Sequence, residues 1–97
     1  MLQAAALSGP TGLRGVFTPR EGLSEATRIA RLWDEQCFLQ CVRLAFVGDL
    51  DTDIGMTPEG RPTAPNGWMY RFLSVERGRF LELTLTPDGQ CRAESSS

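Results

Sequence analysis

The chain has 97 residues, enough for one small domain, and its net charge of −2 with a pI near 5.0 gives no electrostatic basis for binding nucleic acid or an anionic membrane. Its ten basic residues are all arginine and it has no histidine, which excludes a Schiff-base lysine, a histidine general base and a histidine metal ligand. Three cysteines, Cys37, Cys41 and Cys91, are an odd number that does not read as a secreted disulfide framework; reduced thiols in a cytoplasm are the expectation.

The first 22 residues are rich in Gly, Ala and Pro and read as a flexible N-terminal segment with a short strand around Val16 and Phe17. The opening "MLQAAALSGP" has neither the basic start nor the apolar run of a signal peptide, and no stretch approaches the ~20 apolar residues of a membrane span. The expected location is the cytoplasm; export, with a signal already removed, is the alternative. From Leu23 to Glu94 the patterning is that of a single α+β domain, followed by a disordered Ser-rich tail at 95–97.

In "LSEATRIARLW", Ser24 offers an N-cap, Glu25 an acidic first turn, and Ala26, Ile29, Ala30 and Trp33 an apolar stripe at i, i+3, i+4 and i+7. An amphipathic helix is expected from about Ser24 to Asp34, with Glu25 one turn before Arg28 to pair with it. After "DEQ" the period changes to two. Phe38, Val42, Leu44 and Phe46 share one parity, and Leu39, Cys41, Arg43, Ala45 and Val47 the other, over a strand from Phe38 to about Asp49, with Ile54 as the alternative end. The stretch "MTPEGRPTAPNG" is too rich in Pro and Gly for a central strand and reads as a long loop.

"WMYRFLSV" alternates again, Trp68, Tyr70 and Phe72 against Met69, Arg71, Leu73 and Val75. The turn "ERG" leads into "RFLELTLT", with Leu81, Leu83 and Leu85 facing one way. "PDGQ" is a turn in which proline presets φ and glycine accepts a positive φ, and a short fourth strand follows from Cys91 to Glu94. The expected fold is α+β: one amphipathic helix packed on a curled antiparallel meander of three to four strands, with Trp68, Tyr70 and Phe72 as the floor beneath the helix. The opposite sheet face, with Met69, Leu73, Val75 and Ala45 or Val47, is too apolar to stand in water alone, so the N-terminal segment, a second copy or another protein is expected over it.

The order "ATRIARLWD", long strand, acidic turn, "NGWMYRF" and "PDGQ" resembles the PepSY-like and cystatin-like small α+β domains of bacteria, over about Leu23 to Glu94. The resemblance implies a helix with a W-D end before a curled sheet, a W-x-Y-x-F strand, and binding or regulation of partner proteins rather than catalysis. This chain departs from it in lacking an export signal and in its long Pro-rich insertion.

The run "DLDTDIG" places Asp49, Asp51 and Asp53 two apart like the start of an EF-hand loop. Position 6 is Ile54 instead of glycine and position 12 is Gly60 instead of glutamate. A solvated strand end is the expectation, and a calcium site at these three aspartates an alternative. A zinc site from Cys37, Cys41 and Cys91 lacks a fourth thiolate or any histidine, leaving only Asp34 or Glu35 to complete it; none is expected, nor any other cofactor. In an oxidising compartment Cys41 and Cys91 are the expected cross-strand disulfide. No nucleophile has a basic partner except a carboxylate, so an enzyme is not expected.

The function expected is non-enzymatic: a protein-interaction or regulatory subunit, bound to a protein partner or as a homodimer. It would act through Met69, Arg71, Leu73 and Val75 on the sheet and the Pro-rich loop from Met56 to Asn66 with Arg61 at the rim. The alternative from another class is a small-molecule binder, a cystatin-like or nuclear-transport-factor-like pocket protein lined by Trp33, Trp68 and Tyr70.

Overall fold

The computed structural model describes residues 3–15, 17–44, 55–56, 62–63 and 67–96. In chain order these form α1 (Ala4–Leu7), β1 (Gly9–Pro10), α2 (Pro19–Trp33), β2 (Phe38–Leu44), β3 (Gly55–Met56), β4 (Pro62–Thr63), β5 (Trp68–Ser74), β6 (Arg79–Leu85) and β7 (Gln90–Ser96). The fold is α+β, one main helix on an open antiparallel sheet ordered β1-β7-β6-β5-β2. Among the described residues β3 and β4 pair with each other, as a two-residue ladder at the start of and within the expected loop.

The helix begins at Pro19, five residues before Ser24. Thr18 is the N-cap: its hydroxyl accepts from the Glu21 N–H (3.2 Å), and the Glu21 carboxylate accepts from the Thr18 N–H (2.7 Å), a reciprocal capping box with Pro19 at the first helical position. Ser24 is an exposed residue inside the second turn. The expected stripe holds, because Ala26, Ile29, Ala30 and Trp33 are all buried. Glu25 pairs with Arg28 (2.6 Å) and also accepts from the Gly12 N–H (3.1 Å), tying the N-terminal segment to the helix.

Beneath the helix lie Trp68, Tyr70 and Phe72 of β5, Leu81, Leu83 and Leu85 of β6, and Cys91 and Ala93 of β7, all buried in one core with Leu7 and Phe17. Each large side chain here contributes about 1.5–3 kcal/mol relative to exposure. The polar ends of the aromatic pair are satisfied: Trp68 Nε1–H donates to the Phe17 carbonyl (2.8 Å) and the Tyr70 hydroxyl to the Pro19 carbonyl (2.5 Å). Two turns shape the meander, Val75–Gly78 and Thr86–Gly89. In the second, Gly89 at φ 81° follows Pro87 and Asp88, as "PDGQ" requires. β7 then runs through Ser95 and Ser96, beyond the Cys91–Glu94 strand expected and into the Ser-rich end.

Among the described residues no helix is long and apolar enough to cross a membrane. Phe17 lies outside any strand, and α1 packs on β7 and the helix, on the core side of the sheet. The described residues of the N-terminal segment therefore lie on the core side and not over the opposite face.

Candidate interaction surface

Residues directly opposed across an antiparallel pair share a face, so the register assigns the outer side of the sheet row by row. Phe38, Leu73, Phe80 and Ser96 form one row. Cys41, Arg71, Glu82 and Glu94 form the next, and Arg43, Met69, Thr84 and Arg92 the third. No described helix packs on these rows. Phe38 is 49% exposed, and Met69, Arg71, Leu73 and Phe80 are half-buried by their neighbours in the sheet.

One correction to the sequence reading creates this surface. Strict alternation puts Phe38 on the side of Val42 and Leu44, but a register shift between Leu39 and Cys41 breaks the period. With this bulge, Phe38 opposes Leu73 and shares the outer face with Cys41 and Arg43, while Leu39 and Val42 oppose the buried Phe72 and Tyr70. Val75 is displaced as well: it lies in the turn after β5 and is 74% exposed, at the edge of the apolar row.

Arg71 is the polar centre of the face. Its guanidinium lies over the Phe80 ring, 4.2 Å from the centroid, on the diagonal that connects neighbouring strands. Its Nε is buried and has no hydrogen-bond acceptor among the described residues. Glu82 sits directly across from Arg71 in register, yet no ion pair joins them. A buried donor without an acceptor carries a desolvation penalty of about 1–3 kcal/mol or more.

Of the three residues proposed as a pocket, Trp68 and Tyr70 are closed into the core. Burial and the nearby Glu21 charge push the Tyr70 hydroxyl above its ordinary pKa. Trp33 is closed in as well, at 1% exposure. The Arg77 guanidinium lies over its ring at 5.3 Å, and a shallow groove of about 510 Å³ runs past it between Gln3, Ala4, Arg79 and Ser95. Asp34, which caps the end of α2, accepts hydrogen bonds from the Gln36 N–H (2.9 Å) and the Ser74 hydroxyl. The Ser74 oxygen in turn accepts from the Arg77 N–H (3.2 Å). Those bonds, Ser74 first, hold the Asp34 carboxyl below the usual carboxylate range. Asp34 therefore joins helix to turn.

The cysteines are apart. Cys37 leans its thiol on the Ala30 carbonyl (3.5 Å), Cys41 is on the outer face of β2, and Cys91 is in the core on β7. The expected Cys41–Cys91 disulfide is overturned, since β5 and β6 stand between their strands and all three thiols are free. Burial pushes the Cys91 thiol up to about 11 and raises that of Cys37. Among the described residues no three Cys, Asp or Glu side chains converge as metal ligands. Asp49, Asp51, Asp53 and Arg61, and most of the Pro-rich loop, lie outside the described residues.

The sequence reading named Met69, Arg71, Leu73 and Val75 but missed Phe38, Phe80 and Glu82. Phe80 was legible in principle, since it has the opposite parity to Leu81, Leu83 and Leu85; Phe38 was hidden by the bulge. Comparison of the chain with protein-family models, with curated proteins and with solved structures finds no match.

Proposed function

We propose that this protein is a non-enzymatic interaction or regulatory subunit that associates with protein through the outer face of its sheet. The observation that carries the reading is the apolar row Phe38–Leu73–Phe80, on which no described helix packs, beside the Arg71 guanidinium. An apolar centre with an arginine anchor and a charged rim is the composition of an association surface. The resemblance to PepSY-like and cystatin-like domains supports the same reading, as domains that bind partner proteins. Three free thiols fit a reducing compartment such as the cytoplasm.

The test compares wild type with Leu73→Asp and with Val75→Asp, whose side chain is already exposed. Both should retain a cooperative melt and lose the species that wild type holds, whether a second copy in light scattering or a partner identified by mass spectrometry. A monomeric wild type whose captured proteins are unchanged in both variants would falsify the reading.

The groove bordered by Gln3, Ala4, Arg79 and Ser95 supports a second reading, a site for a small anion held by Arg79. Titration with 8-anilinonaphthalene-1-sulfonate should then give saturable fluorescence that Arg79→Glu abolishes; equal signal from both proteins removes it.

A further inference from the structure

The outer face is complementary to itself. Arg71 on β5 and Glu82 on β6 occupy the same row on adjacent strands, flanked by Leu73 opposite Phe80 on one side and Met69 opposite Thr84 on the other. A two-fold axis parallel to the strands, placed between β5 and β6 and midway between two stacked sheets, lays β5 of one copy over β6 of the other. Under that rotation Arg71 meets Glu82 of the second copy and Glu82 meets its Arg71. Leu73 and Phe80 cover one another in the same way. A two-fold contact always uses one patch twice, so every favourable pair is made in duplicate. Stacked sheets pack about 10 Å apart with their strands within about 30° of each other, which this arrangement allows.

We infer that the occupant of the outer face is a second copy of this chain, held by reciprocal Arg71–Glu82 ion pairs beside a Leu73–Phe80 apolar centre. The inference rests on the association reading above and names its partner. It gives the guanidinium of Arg71, stacked on Phe80 and in no ion pair among the described residues, a carboxylate to bind. It also accounts for Arg71 and Glu82 standing opposed in register without pairing to each other. The charges elsewhere on the face fall at the periphery. The rotation sets Arg43 near the second copy's Arg92 and Cys41 near its Glu94; both arginines are exposed, where the like-charge contact is screened.

The size of the face sets the concentration. Four strands about 4.8 Å apart and about 20 Å long cover roughly 400 Å², less than the ~800 Å² per partner of a standard interface. Association is therefore expected at tens to hundreds of micromolar.

Sedimentation equilibrium from about 10 µM to about 1 mM decides it. Wild type should pass from monomer to dimer over this range. Arg71→Glu alone and Glu82→Arg alone should each weaken self-association about tenfold or more, because each sets like charges against one another twice. An equimolar mixture of R71E and E82R should restore dimer as a heterodimer, since both crossed pairs are then opposite in sign. Recovery on mixing also shows that neither variant failed merely by unfolding. A wild type that stays monomeric to the highest concentration overturns the inference without needing any variant, and so does a wild-type dimer that R71E leaves intact or that mixing does not recover. Failure here leaves the association reading to its own test, because capture of a different protein lost in L73D and V75D does not depend on self-association.

Discussion

Gly22 lies inside α2, where glycine costs about 1 kcal/mol relative to alanine, and the reason is tertiary. A Cβ built there would come within 2.3 Å of the Tyr70 hydroxyl oxygen and 2.6 Å of the Phe17 ring. Gly22→Ala is expected to lose about 1–3 kcal/mol by overpacking, more than the helix gains, and to lower Tm. A rise in Tm would show that helix and sheet are less closely seated than the structure has them. At the start of the same helix, Thr18→Ala removes the hydroxyl half of the capping box and should cost about 1 kcal/mol. That is a fall of about 4–8 °C in Tm for a domain of this size, readable by calorimetry. Asp34 gives the pH dependence a sign. Its folded pKa is depressed, chiefly by the Ser74 hydroxyl, so its stabilisation is present above the ordinary carboxylate pKa and is lost as pH falls through the folded value. Melting temperatures taken from about pH 6 down to about pH 2 should fall at the acid end, and Ser74→Ala, which returns the folded pKa toward the ordinary carboxylate value, should make that fall smaller. Identical acid profiles for the two proteins would mean that Ser74 does not hold the charge.

Single elements divide according to whether their period is uninterrupted. α2, β5 and β6 were legible because Ala26, Ile29, Ala30 and Trp33 keep helical spacing and the strands keep strict alternation from Trp68 to Ser74 and from Leu81 to Leu85. β2 was legible as a strand but not in its facing, because the bulge after Leu39 transfers Phe38 to the outer side, and a bulge is set by pairing with β5 rather than by local preference. The same interruption hid part of the candidate surface, since a row of cross-strand partners exists only once register is known. Leu83, at the centre of β6 and fully buried, tests the core directly. Leu83→Ala should cost about 2–5 kcal/mol, visible as a lower midpoint in urea. Since a small domain has only about 5–15 kcal/mol in total, the larger end of that range would leave it barely folded. Gly67, at φ 86° before β5, is the second such point: a Cβ would lie 1.8 Å from the Leu85 carbonyl oxygen, which explains why "NG" precedes Trp68.

At the scale of the molecule, one face of the sheet is closed by α2, α1 and the N-terminal segment, and the other is open among the described residues. The thiols report this asymmetry. Cys91, buried and with its thiol raised to about 11, should resist alkylation in the native protein and react only on unfolding, whereas Cys41 on the outer face should label. Peptide mapping after iodoacetamide treatment at pH 8 checks it, and native labelling of Cys91 at the rate of Cys41 would contradict the burial. The absence of histidine and lysine, the acidic balance, the helix stripe and the two clean strands followed from the sequence alone, because composition and periodicity are local properties of the chain. The position of the helix start over Tyr70, the separation of Cys41 from Cys91, the facing of Phe38 and the acceptor-free Nε of Arg71 were decided only by tertiary structure. Each depends on which strand lies beside which and in what register, and that is fixed by packing between residues far apart in sequence.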